Sequence, residues 1–189
     1  MKMNFKQNNI KLAIAAGLVI GSASFTLPAF ASSSEKGEMD VKANIDVACT
    51  IEIDDLDFGS YDALDTHKST PAKGSGKITA TCTSGASGKI TINEGGNKIT
   101  DGDFPSSLGA PKRQMMTDQS PASGQTKFLA YTLHEADSFG SAQWNGTTGV
   151  TYVSSGSDVA KTIYGFIPPA QNTAMTGSYA DEVEIVVTY

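Results

Sequence analysis

Residues 39–47 read Met39-Asp40-Val41-Lys42-Ala43-Asn44-Ile45-Asp46-Val47, with apolar and polar side chains alternating without a break over nine positions. A period of two is the mark of a strand with one buried face, because successive side chains leave a pleated backbone on opposite sides. Working outward, strand patterns return at residues 50–53 with 56–61, then at 77–83, 89–93, 128–133 and 161–167. The closing run alternates Val183, Ile185, Val187 and Tyr189 with Glu184, Val186 and Thr188. Lesser strands are expected at residues 114–117 and 149–153. Gly, Asn, Asp and Ser punctuate these runs, and almost no segment has helical apolar spacing. Many short strands with turn signals and no helices predict an all-β fold, a β-sandwich.

The start of the chain reads differently. Lys2, Lys6 and Lys11 precede an apolar run from Leu12 to Ile20, and Ala29-Phe30-Ala31 supplies a small-x-small cleavage pattern. The run falls short of the ~20 residues that a transmembrane helix needs. Residues 1–31 are therefore expected to be a secretory signal peptide. Removing them leaves 158 residues with 11 basic and 20 acidic side chains, a net charge of −9. One domain fits that length. The acidic balance argues against nucleic acid as a partner, and no second apolar stretch predicts membrane insertion. Two cysteines in an exported chain, Cys49 and Cys82, most simply form one disulfide. Closing a loop of 33 positions is worth about 3–4 kcal/mol in the chain-entropy picture. A metal pair needs more ligands than two thiols and the distant His67 and His134, so no metal or cofactor is expected.

The two ends of the domain carry the cleanest alternation. The run at 39–47 lies behind a polar leader, residues 32–38, and the last strand stops at Tyr189 with no sequence after it to cover its edge. A long apolar edge invites aggregation unless something pairs with it. The alternation alone allows two arrangements. Residues 39–47 can fold back as a first strand of their own domain, or they can pair with the open edge of a neighbouring copy by strand addition. Full burial of Met39, Val41, Ile45 and Val47 would contribute about 6–12 kcal/mol before ordering costs, with Ala43 suited to a shallow pocket. Head-to-tail contacts that do not close build filaments.

Further residues carry a family likeness. Cys49-Thr50 is followed by Leu56-Asp-Phe58-Gly59-Ser-Tyr61, then Ile78-Thr-Ala-Thr-Cys82 and Ile90-Thr-Ile92-Asn-Glu-Gly95. Arg113-Gln-Met115, Leu129-Ala-Tyr131-Thr-Leu133, Trp144-Asn-Gly146, Tyr164-Gly165-Phe-Ile167-Pro168 and Gly177-Ser-Tyr179-Ala-Asp181-Glu-Val183 follow in order. In this order the chain resembles the spore coat protein U domain family, which includes the archaic, Csu-type chaperone–usher pilus subunits. It departs from the family pattern at Phe166, often Arg, at His134, often aromatic, and at Asn145, which separates Trp144 from Gly146. The loop from 101 to 127 is also longer than usual.

The resemblance implies an incomplete immunoglobulin-like β-sandwich completed by a donor strand from a neighbouring subunit. Residues 32–48 would be the donor-strand extension, with Met39, Val41, Ala43, Ile45 and Val47 as its inserted side chains. Residues 49–189 would form the pilin domain. The strand bearing Val183, Ile185, Val187 and Tyr189 would be where a periplasmic chaperone pairs, with the Tyr189 carboxylate on a chaperone cation. Cys49 and Cys82 would be bonded. The implied partners are other copies or related pilins, the chaperone, and an outer-membrane usher. The implied route runs through the periplasm to a cell-surface pilus serving adhesion or biofilm formation.

Other chemistry has less behind it. His134, opposite in parity to Leu129, Tyr131 and Leu133, is expected to face solvent, and no nucleophile elbow accompanies it; an enzyme is not expected. His67 is expected to be exposed in a polar turn. Asp54, Asp55 and Asp57, and Asp101-Gly102-Asp103, fit no defined calcium loop. Trp144 reads first as a core or rim aromatic of the sandwich; with Tyr152 it could instead make a sugar-stacking platform, which makes a monomeric, lectin-like secreted module the alternative. The turn-rich stretch from Ile99 to Gln125 is expected to be a mobile loop.

Overall fold

The computed structural model describes residues 34–98 and 113–189; the expected leader, and residues 99–112 of the turn-rich stretch, lie outside the described residues. The chain divides into two units, residues 1–42 and 43–189. In the first, residues 34–42 form no strand, and Met39 and Val41 are 84% and 83% exposed. Lys42 and Asp40 make a solvent-exposed ion pair at 3.1 Å.

The second unit holds eight strands: β1 (Cys49–Asp57), β2 (Ala72–Cys82), β3 (Ser87–Ile92), β4 (Arg113–Met116), β5 (Phe128–His134), β6 (Val150–Val153), β7 (Val159–Ile167) and β8 (Ile185–Thr188). They form two antiparallel sheets, in the orders β1-β2-β7-β5-β4 and β6-β3-β8. Residues 43–48 join no strand. The core lies between the sheets. Ile78 and Ala80 of β2, Ile163 and Ile167 of β7, and Leu129 and Leu133 of β5 pack toward Ile90 and Ile92 of β3 and Val150 of β6. This is an all-β, immunoglobulin-like sandwich, built because the alternating strands each have one apolar face to bury.

β2 begins five residues before the apolar pattern suggests, at Ala72 rather than Lys77. Its early core-facing positions are Gly74 and Gly76, which carry no apolar side chain to betray a strand. Gly165 of β7 belongs to the same region. A Cβ there would sit 2.7 Å from Phe58 and 2.8 Å from Leu56, so only glycine lets the chain leaving β1 cross the sheet. β1 runs unbroken from Cys49 to Asp57, with an irregularity between Asp54 and Asp57, and β8 is shorter than the terminal alternation.

Two histidine expectations are corrected. His134 is 1% exposed, not solvent-facing. The segment after β5 folds over the outer face of the sheet, so that Ser141 O lies 2.9 Å from Nδ1, Thr132 Oγ1 lies 2.9 Å from Nε2, and Phe166 meets the ring edge-on at 5.4 Å. His67 is half-buried, stacked on Tyr61 at 5.1 Å with its Nδ1 accepting the Asp62 N–H at 2.9 Å.

Candidate functional site

The sandwich is open along one side. β1 pairs only with β2, and β8 pairs only with β3, so each presents an unpaired backbone edge among the described residues. Register decides which side chains face inward. Ile51 lies opposite Ala80 and Ile53 opposite Ile78, and both partners are 0% exposed. Ile51 and Ile53 share that core face, yet they are 42% and 48% exposed. On the other sheet, Val187 lies opposite Ile90 and Ile185 opposite Ile92. Those two β3 residues are fully buried, while Val187 and Ile185 are only half-buried. Four inward-facing aliphatic side chains thus line a groove that is partly open to solvent.

One end of this groove is closed by Tyr152. Its hydroxyl donates to Thr188 O at 3.3 Å and lies 3.6 Å from Sγ of both Cys49 and Cys82. The cysteines are bonded to each other, directly opposite in the β1–β2 register. Burial pushes the Tyr152 phenol above its ordinary value, with Tyr189 adding to the shift. Gly88 makes the crowding possible, since a Cβ there would run into the Thr188 carbonyl. At the far end, where β1 stops, a recess of about 700 Å³ is lined by Leu56, Phe58, Tyr61, Leu129, Ile167 and Tyr179, among others.

The opposite side of the sandwich is sealed by a buried polar lattice. Arg113, 0% exposed, donates to Asn93 O at 2.8 Å and to Ile92 O and Trp144 O at 2.9 Å, tying β4 across to the other sheet. Burial lowers its pKa to about 10, against the opposing pull of Tyr131, Glu94 and Asp181. The Tyr131 hydroxyl donates to Asp181 Oδ2 at 2.7 Å, and burial with that bond holds the phenol far above its usual range. Asp181 Oδ1 accepts from Asn97 N and Nδ2, both at 3.1 Å.

The residues singled out by sequence fall as follows. Ile45 and Val47 are 81% and 51% exposed, and residues 43–47 form no strand. Residues 39–47 thus carry the strand pattern but form no strand in this structure. Val183 lies just before β8 and is half-buried; Tyr189 lies just after it and is 62% exposed. The sugar platform is overturned. Trp144 and Tyr152 are 3% and 4% exposed, and the indole N–H donates to Ile90 O at 2.9 Å, so both belong to the core. No group of three or more His, Cys, Asp or Glu side chains among the described residues could hold a metal ion. Ile51 and Ile53, the β1 wall of the groove, were not singled out. Their signal was the alternation Ile51-Glu-Ile53, which cannot by itself tell a covered strand from an uncovered one.

A chain in the crystal structure of the chaperone–tip adhesion subunit pre-assembly complex, from archaic chaperone–usher Csu pili of Acinetobacter baumannii, is similar at a TM-score of 0.49 and 17% identity over 77% of this chain. This chain spans 40% of the length of that one. Protein U of Myxococcus xanthus is 28% identical over 190 residues, covering 96% of this chain and 99% of the relative. The Spore Coat Protein U domain matches residues 35–186, which takes in both cysteines and every strand from β1 to the first half of β8. The chain belongs to the Spore Coat Protein U domain family.

Proposed function

We propose that this chain is a structural subunit of a chaperone–usher surface pilus, and that it polymerises by donor-strand exchange. In this reading residues 1–31 are removed on export, and residues 32–48 leave their own domain to enter the groove of the next copy. Met39, Val41, Ala43, Ile45 and Val47 then face inward between β1 and β8. A periplasmic chaperone holds the groove, pairing along the strand that bears Val183, Ile185, Val187 and Tyr189, until an outer-membrane usher effects the exchange. The assembled fibre stands on the cell surface, where it supports adhesion or biofilm formation.

A single observation carries the proposal. The domain leaves inward-facing Ile51 and Ile53 half-exposed between two unpaired edges, while the segment with the cleanest strand pattern carries its apolar side chains, Ile45 among them, exposed to water. A strand added to such an edge gains a backbone ladder and fills alternate pockets. Family membership and the archaic pilus complex named above are in keeping with this reading.

The test uses full-length chain and a chain lacking residues 32–48, each co-expressed with a periplasmic chaperone of the same type. The full-length chain is expected to give SDS-resistant ladders. The truncated chain is expected to give a soluble chaperone complex that does not polymerise. Ile45→Asp should block polymerisation while sparing chaperone binding. A full-length chain that is a stable two-state monomer at high concentration without chaperone would overturn the proposal.

A further inference from the structure

The floor of the groove is apolar, but its rims are acidic. On the β1 side, Glu52 and Asp54 share the outer face opposite Thr79 and Lys77, and Asp55 and Asp57 follow at the irregularity; all four are exposed. On the β8 side, Glu182 and Glu184 are exposed where the chain enters the strand. The basic groups nearby do little to offset them. Lys77 is engaged with Asp54 at 3.1 Å, and Lys89, opposite Thr188, sits one strand in from the edge.

The chain's own extension has the wrong sign for these rims. With Met39, Val41, Ala43, Ile45 and Val47 turned inward, the outward positions are Glu38, Asp40, Lys42, Asn44 and Asp46. Three acids stand against one lysine, and Lys42 is already paired with Asp40 at 3.1 Å. A strand lying between β1 and β8 meets Glu52 and Asp54 along β1 and Glu182 and Glu184 at the entry to β8, while Val186 and Thr188, outward on β8 itself, are uncharged. Like charges on neighbouring strands are destabilising, and they act within about 5–8 Å, inside the screening length of about 8 Å at physiological salt.

We propose that the groove is matched to a strand with basic outward side chains supplied by a different protein, and that the chain's own extension is the electrostatically weaker occupant. The inference rests on the donor-strand reading above. The apolar floor accepts either strand; the rims discriminate between them. Exchange between copies tightens as ionic strength rises, because screening removes repulsion rather than attraction.

Two synthetic peptides test this: residues 34–48 as they stand, and the same peptide carrying E38K, D40K and D46K. Each is titrated by fluorescence anisotropy into full chain bearing Ile45→Asp, whose own extension is disabled as a competitor. At about 20 mM salt the lysine peptide is expected to bind on the order of tenfold tighter, with the gap narrowing near 1 M, where screening acts within about 3 Å. Chain that also carries Glu52→Lys and Glu184→Lys, both exposed, is expected to reverse the order. Equal affinities at low salt, or an unaltered peptide that weakens as salt rises, would overturn the inference and leave the groove standing. Binding by neither peptide would overturn the donor-strand reading together with it.

Discussion

The two sides of the sandwich are built from similar residues and end in opposite states. On the sealed side, β4 and the turn bearing Trp144 cover the core, and Arg113 satisfies three main-chain carbonyls across the gap between sheets. On the open side, Ile51, Ile53, Ile185 and Val187 are as apolar as anything in the core, yet water reaches all four. The difference is one of coverage. On the first side Arg113 Nε and Nη2 are hydrogen-bonded while its buried Nη1 is not, whereas on the second two strand edges keep unpaired backbone donors and acceptors. Coverage of the edges, rather than the patterning of the strands, accounts for the contrast.

The largest expected effect lies on the sealed side. Arg113→Ala would take the donor away from three main-chain carbonyls and leave a cavity between the sheets, and should cost about 3–5 kcal/mol in urea unfolding of the subunit. A loss below about 1 kcal/mol would mean that the two sides are not held differently after all. Removing the bond at the closed end of the groove, with Cys49→Ser and Cys82→Ser together, should cost about 3–4 kcal/mol. A calorimetric midpoint unmoved by the double substitution would remove the disulfide's role in anchoring β1.

A matched pair of truncations sharpens the contrast directly. Ile90→Ala, deep beneath β8, should cost about 2–4 kcal/mol, while Ile51→Ala, already half in water, should cost under about 1 kcal/mol in the free subunit. In the assembled fibre the Ile51→Ala cost should rise toward that of a core position, measured as faster loss of SDS-resistant ladders on heating. Equal costs in the free subunit would mean that something covers Ile51 in solution.

The smallest effect concerns His134. Burial lowers its pKa from 6.5, so the folded chain binds this proton less readily than the unfolded one. Its contribution is whole above the unfolded value and drains away as pH falls below about 6.5 toward the folded value. Stability measured against pH should therefore decline through that window, and His134→Gln should flatten that part of the curve.

The strands were largely legible because each alternates, and the Cys49–Cys82 pairing was legible because a chain with a secretory-leader pattern and two cysteines has few other uses for them. The illegible parts have physical reasons. β2 begins at glycines that work by leaving room, and a missing side chain writes no pattern. His134 lies on the outer face by parity, but a loop seven positions on folds back to cover it. Trp144 and Tyr152 read as a surface platform only while the partners of their polar atoms, Ile90 O and Thr188 O, were unknown.

Sequence alone determined which segments become strands, which face of each is apolar, and that the run at 39–47 has the form of a strand. These are local properties, set by side-chain order along a backbone of period two. Only the tertiary structure decided that β1 and β8 each lack a partner, so that Ile51 and Ile53 line an opening instead of a core. Coverage is a relation between segments distant in the chain, and no residue carries it by itself.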